Sequence, residues 1–143
     1  MYSRGGVGPE VRFVAASTDE ALSAADDIVD AMIDEGWGPG SIALITTGHK
    51  HPVHDDVAAR HGQEGYWKQF WEGGDVFYGH VLGCKGLERK AVVLCVNESS
   101  KRDRFRERLY VGMSRATDEL VVVGHPELIR EMGGAEVAKR LGI

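Results

Sequence analysis

Arg104-Phe105-Arg106-Glu107-Arg108-Leu109-Tyr110-Val111-Gly112-Met113-Ser114-Arg115-Ala116 stands between two apolar runs, Ala91-Val92-Val93-Leu94-Cys95-Val96 and Leu120-Val121-Val122-Val123. In the middle stretch Phe105, Leu109, Met113 and Ala116 fall at i, i+4, i+8 and i+11, one apolar stripe of a helix. Arg104, Arg108 and Arg115 share those spacings and form a cationic stripe beside it. The flanking runs are apolar without alternation, which is how a strand covered on both faces reads. Strand, helix, strand in this form argues for a parallel sheet with helices on its faces. Arginine at the far end of a core-facing helix suits phosphate recognition, because its planar fork stays charged and matches phosphate oxygens. The alternative is an ordinary amphipathic helix with a solvated basic face.

The same alternation extends upstream. Val11 to Ala16 reads as a first strand, and Ser17 or Thr18 is placed to cap the helix that follows. Ala21, Leu22, Ala25, Ile28, Val29, Met32 and Ile33 repeat at helical spacing as far as Gly36. Asp26, Asp27, Asp30 and Asp34 fall mostly on the outer side and read as solvated charges, with no partner residue type interleaved among them. Gly36 to Gly40 is a turn by its glycines and proline. Ile42-Ala43-Leu44-Ile45 is a second buried strand, Asp75 to Val81 a third with Phe77 and Tyr78. Thr117-Asp118 is expected to turn the chain into the last strand, Leu120 to Gly124. Pro126 to Met132 and Ala135 to Leu141 read as two closing helices parted by Gly133-Gly134.

With 143 residues, 43% of them hydrophobic, the chain has room for one proper core. Residues 1–10 read as a glycine-rich linker or boundary segment, and 11–143 as a single domain. No run approaches 18 apolar residues, so no membrane span is expected. Without a signal-type apolar segment the expected location is cytoplasmic. Cys84 and Cys95 lack metal-type spacing, and no disulfide is implied. The net charge of −5 argues against a surface that coats nucleic acid generally, yet residues 85–115 carry nine bases against four acids. A basic zone on an acidic body suits a focused anion site.

Two further clusters carry possible chemistry. His49, His51 and His54 precede Asp55 and Asp56, but the spacing fits no zinc pattern and Pro52 is expected to interrupt any helix aligning them. A polar surface loop is the expectation there, with a short helix from Val57 ending at Gly62. Tyr66/Phe70 and Trp67/Trp71 form two i, i+4 aromatic pairs around Lys68. Such pairs stack single-stranded bases in some proteins and simply pack a short helix in others.

Val81-Leu82-Gly83-Cys84-Lys85-Gly86-Leu87-Glu88, taken with Leu109 to Ala116, resembles motifs V and VI of the UvrD/Rep-type superfamily 1 DNA helicases. In that family a Lys-Gly-Leu-Glu loop precedes a buried strand, and a helix reading Leu-Tyr-Val-x-x-Ser/Thr-Arg-Ala follows. The resemblance covers roughly residues 11 to 125. It implies the second RecA-like domain of such a helicase: a three-layer α/β fold, related to P-loop NTPases, with a mainly parallel sheet. It also implies roles. Arg115 would be the catalytic finger on the γ-phosphate of ATP. Glu88 would accept from the ribose, with Lys85, Gly86 and Ser114 also at the nucleotide. His80 and Gly83 would meet DNA, and Trp67 and Trp71 would offer stacking surfaces.

Some positions depart from the family pattern. Ile42 to Ile45 resembles the strand entering motif IV, where an aromatic residue and an arginine follow; here Thr46 and Thr47 follow, with Lys50 the nearest cation. Leu82 replaces a histidine and His80 a threonine in the DNA-contacting loop. The stretch 49–75 is short where UvrD-type helicases insert a subdomain. No G-x-x-x-x-G-K-[ST] occurs, and no Asp-Glu pair follows an apolar strand. The resemblance therefore implies that ATP and its Mg2+ are gripped by a preceding N-terminal RecA-like domain, with single-stranded DNA or a partial duplex as the other partner. The chain alone is expected not to hydrolyse ATP. Two rival readings are a degenerate helicase-like domain that docks protein or DNA, and an unrelated α/β enzyme acting on a phosphorylated small molecule.

Overall fold

The computed structural model describes residues 10–48, 51–72, 76–81, 89–97 and 105–143. Their strands are β1 (Glu10–Ala15), β2 (Ile42–Thr46), β3 (Phe77–His80), β4 (Arg89–Cys95) and β5 (Ala116–Gly124). The helices are α1 (Ala21–Asp34), α2 (Pro52–Glu72), α3 (Phe105–Met113) and α4 (Pro126–Leu141), with a 3-10 turn at Pro39–Ser41. The strands form one sheet in the order β1-β5-β4-β2-β3, and every pairing is parallel. This is the α/β, three-layer arrangement expected of a RecA-like domain.

Side chains alternate across a strand, so each apolar run serves two cores at once. Ala43, Ile45, Val92, Leu94, Leu120 and Val122 point to one face, where Leu109 and Met113 of α3 and Ile129, Val137 and Leu141 of α4 cover them. Ile42, Leu44, Ala91, Val93, Cys95, Val121 and Val123 point to the other, under Ala21, Ala25, Val29 and Met32 of α1. Two of those four α1 residues are alanines, which suits a close approach of helix to sheet. Leu22 and Ile28 are partly buried at the margin, and Ile33 is 38% exposed.

Alpha1 ends where the glycine count of the following turn suggests. Gly36 has φ +110; its amide donates to the Ile33 carbonyl at 3.1 Å, and the Trp37 amide to the Met32 carbonyl at 3.0 Å. This paired closure, with Trp37 lying on the α1 core, is the Schellman motif and needs a residue tolerant of positive φ. Gly36→Ala is expected to lower the unfolding free energy by about 1 kcal/mol. Thermal denaturation checks it, and an unchanged midpoint would remove the assignment.

Several local expectations change. Alpha3 stops at Met113, so Ser114 and Arg115 occupy a turn rather than the helix, and Ala116 already belongs to β5. Thr117 and Asp118 are strand residues, not a turn. Even so, Ala116 is buried in the same core as Leu109 and Met113, so the apolar stripe continues through the turn. Ser17 closes the turn before α1 rather than the helix itself: its hydroxyl donates to Glu20 Oε1 at 2.9 Å and accepts the Glu20 amide at 3.3 Å. Pro52 begins α2 instead of interrupting it, as proline can where no amide partner is required. Alpha2 breaks at Gly62 and α4 at Gly134, both with positive φ, so each is two helical pieces. Among the described residues no helix is long and apolar enough to cross a membrane.

Candidate functional site

In a parallel sheet the two edges formed by strand ends are chemically distinct, and the candidate residues divide between them. At the edge where strands begin, the Arg89 amide donates to the Arg115 carbonyl at 3.0 Å, and Arg89 pairs in register with Ala116. The residue directly following Glu88 is thus tied to Arg115 through the backbone. Only this neighbour of Lys85 to Glu88, and not that segment itself, is among the described residues.

Arg115 is half-buried, with its side chain folded against the end of its own helix. Its Nε donates to the Val111 carbonyl at 3.0 Å, and its Nη2 donates to Ser114 Oγ, also at 3.0 Å. The Ser114 hydroxyl in turn donates to the same Val111 carbonyl at 2.9 Å. Carbonyls of a last helical turn lack partners within the helix and carry the negative end of its dipole, so a guanidinium there is favoured by roughly 0.3–1 kcal/mol.

Arg89 is a residue that sequence reasoning passed over. Its Nη1 donates to the Gly40 carbonyl and, at 3.5 Å, to that of Ile42, while the guanidinium lies 5.9 Å from the centre of the Phe77 ring. Half-burial lowers its pKa by desolvation. The side chain fastens the start of β4 to the turn preceding β2, which steadies the strand end beside Arg115. Its position after Lys-Gly-Leu-Glu was the only available signal. Lys85, Gly86 and Glu88 themselves lie outside the described residues, as do Gly83 and the side chains of Trp67, Trp71, Arg104 and Arg108.

At the opposite edge the ends of β2, β3 and β4 are clamped together. The Gly48 amide donates to Asn97 Oδ1 at 2.8 Å, and His80 Nε2 meets the Gly48 carbonyl at 2.9 Å. A Cβ on Gly48 would lie 2.9 Å from both the Asn97 carbonyl oxygen and Oδ1, so the close approach requires glycine. The His80 nitrogen that donates to Gly48 is engaged within the fold, so it is committed to holding the strand ends together. Thr46 and Thr47 are buried, and their hydroxyls have no hydrogen-bond partner among the described residues. Thr46 pairs with Cys95, six strand residues beyond Arg89 and therefore about 20 Å along the sheet. Thr46 and Thr47 consequently do not share a site with Arg115.

His49 lies outside the described residues, and His51 and His54 are not in the polar surface loop expected of them. His51 and His54 are buried, and His51 Nε2 bonds Asp26 Oδ1 at 2.8 Å. The Val53 amide donates to His51 Nδ1 at 3.0 Å, which leaves the ring proton on Nε2, and the ring packs 4.4 Å from Tyr78. Asp26 therefore has a partner after all, supplied by the residue just before α2 rather than by its own helix. The cluster joins α1, the start of α2 and β3. Beside it, burial and the Asp26 charge push the Cys95 thiol up to about 12, so it remains a protonated core group.

Residues 80–123 match the family model for the UvrD-like helicase C-terminal domain. That stretch is similar to a UvrD-like helicase C-terminal domain. The matched stretch runs from the last residue of β3 through β4 and α3 to the penultimate residue of β5, and so contains Ser114, Arg115 and the strand start they meet. No curated protein matches the chain. The UvrD-like match bears on a helicase-related role for the domain as a whole. It assigns no chemistry to an individual side chain.

Proposed function

We propose that this UvrD-like domain is the C-terminal motor half of an ATP-dependent DNA helicase and that Arg115 is its finger on the γ-phosphate. The observation that carries the reading is the junction at the strand-start edge. There the backbone bond from Arg89 to Arg115 joins the residue after Lys-Gly-Leu-Glu to the turn that follows the arginine helix. Charge spreads over the phosphoryl oxygens during transfer, and a held guanidinium stabilises it better than a mobile one. Glu88, Gly86, Lys85 and Ser114 would complete this domain's side of the nucleotide site. An N-terminal RecA-like domain would supply the phosphate loop and the Mg2+ ligands. His80, Gly83, Trp67 and Trp71 would face single-stranded DNA.

The alternative of a degenerate docking module rests on Thr46 and Thr47 and on Leu82, and Leu82 lies outside the described residues. The place of Thr46 and Thr47 about 20 Å along the sheet from Arg115 removes them as an objection to phosphate chemistry at the other edge. ATP turnover separates the readings. The isolated chain is expected to show none, whereas the protein joined to its N-terminal RecA-like domain should show turnover stimulated by single-stranded DNA. Comparable turnover by the isolated chain would sink the composite site, and absence of turnover in the joined protein would favour the docking module.

A further inference from the structure

Ser114 sits between Arg115 and the end of α3 as a relay. Its hydroxyl is one donor and an acceptor, and both capacities are used: it gives its proton to the Val111 carbonyl and receives one from Arg115 Nη2. The Val111 carbonyl accepts a second bond, from Arg115 Nε, so one edge of the guanidinium is gripped at two points. The helix has ended, and the backbone amides of Ser114 and Arg115 still close on Val111 and Gly112 at 3.3 and 3.2 Å. Gly112 in turn is pressed onto Leu94, where a Cβ would come within 2.6 Å of a methyl carbon. The anchor of the latch is therefore set against the rigid centre of the sheet.

We propose that Ser114 is a positioning residue that presets the Arg115 guanidinium before nucleotide arrives. This rests on the reading of Arg115 as the finger. An arginine has several rotatable bonds, and a chain ordered only when phosphate charge develops loses part of its benefit to that ordering. The Ser114 hydroxyl removes this loss by fixing the fork against the helix end. Its share in the nucleotide site is this hold on Arg115: it touches no reacting atom itself.

The expected results in the complete protein follow from that indirect role. Ser114→Ala should lower kcat for DNA-stimulated ATP hydrolysis about tenfold and leave KM for ATP within about twofold, on the usual scale for lost preorganisation. Ser114→Thr keeps the hydroxyl and should restore kcat. Adding Ser114→Ala to Arg115→Ala should cost nothing further. Thermal melting of each variant reports whether the fold survives, and the threonine variant keeps the test open if alanine alone loosens the turn. If Arg115→Ala destroys turnover while Ser114→Ala is normal or faster, the latch is wrong and the finger stands. If Arg115→Ala turns over normally, the finger itself is wrong. A serine effect that persists in the Arg115→Ala background would also overturn the proposal.

Discussion

Arg115→Ala in the protein containing both motor domains is expected to reduce DNA-stimulated ATP turnover about a thousandfold, the lower part of the range for a lost arginine finger. The loss should fall on kcat, because the charge that Arg115 would meet develops in the transition state rather than in bound ATP. Arg115→Lys should recover little. A lysine carries the charge but not the fork, and it cannot make both the Val111 and Ser114 contacts in the same geometry. The fold should survive either change. Arg115 is only half-buried, and its bonds to Val111 and Ser114 stay at the end of its own helix, so their loss costs roughly 0.3–1 kcal/mol, as for a helix-end cation. Steady-state kinetics with circular dichroism on the same samples checks both halves. Turnover near that of the unaltered protein would remove the finger assignment and leave the docking module as the better reading.

How much of this was legible in the sequence depended on the range of the interaction. The apolar runs at 42–45, 91–96 and 120–123 gave buried parallel strands because continuous hydrophobicity needs cover on both faces, and both cores follow from alternation within those runs. Sheet order was not legible. Nothing local in Val11 to Ala15 says that it pairs with β5 rather than with β2. The arginine helix was placed correctly but extended too far, because Ala116 continues the apolar spacing although it lies in a strand. Pro52 misled for a related reason: a proline reads as a breaker unless the helix starts at it. The partners His51 and Asp26 are 25 residues apart, beyond any local pattern, and so both appeared solvated. Arg89 and Asn97 were missed because each acts by holding a distant turn, and neither belongs to a recognisable spacing.

The position of Arg115 also depends on how firmly α3 is seated, and Leu109 carries most of that. Leu109 is fully buried between the sheet and α4, with its Cδ1 packed close to Gly133. A Cβ on Gly133 would lie 3.2 Å from that methyl. Leu109→Ala therefore opens a void beside Gly133 and Val137, and the cost should be about 3 kcal/mol, within the usual range for buried leucine. Urea unfolding of the isolated domain should show a lower midpoint with an unchanged slope, as expected when stability falls without a change in the surface exposed. A loss below about 1 kcal/mol would mean that α3 repacks freely, against the close packing argued for it. The two outcomes differ for function as well. A helix that repacks freely would carry Ser114 and Arg115 with it, and Leu109→Ala would then depress ATP turnover under conditions where the protein remains folded. A helix held by Gly112 against Leu94 would lose stability first and keep the guanidinium in place.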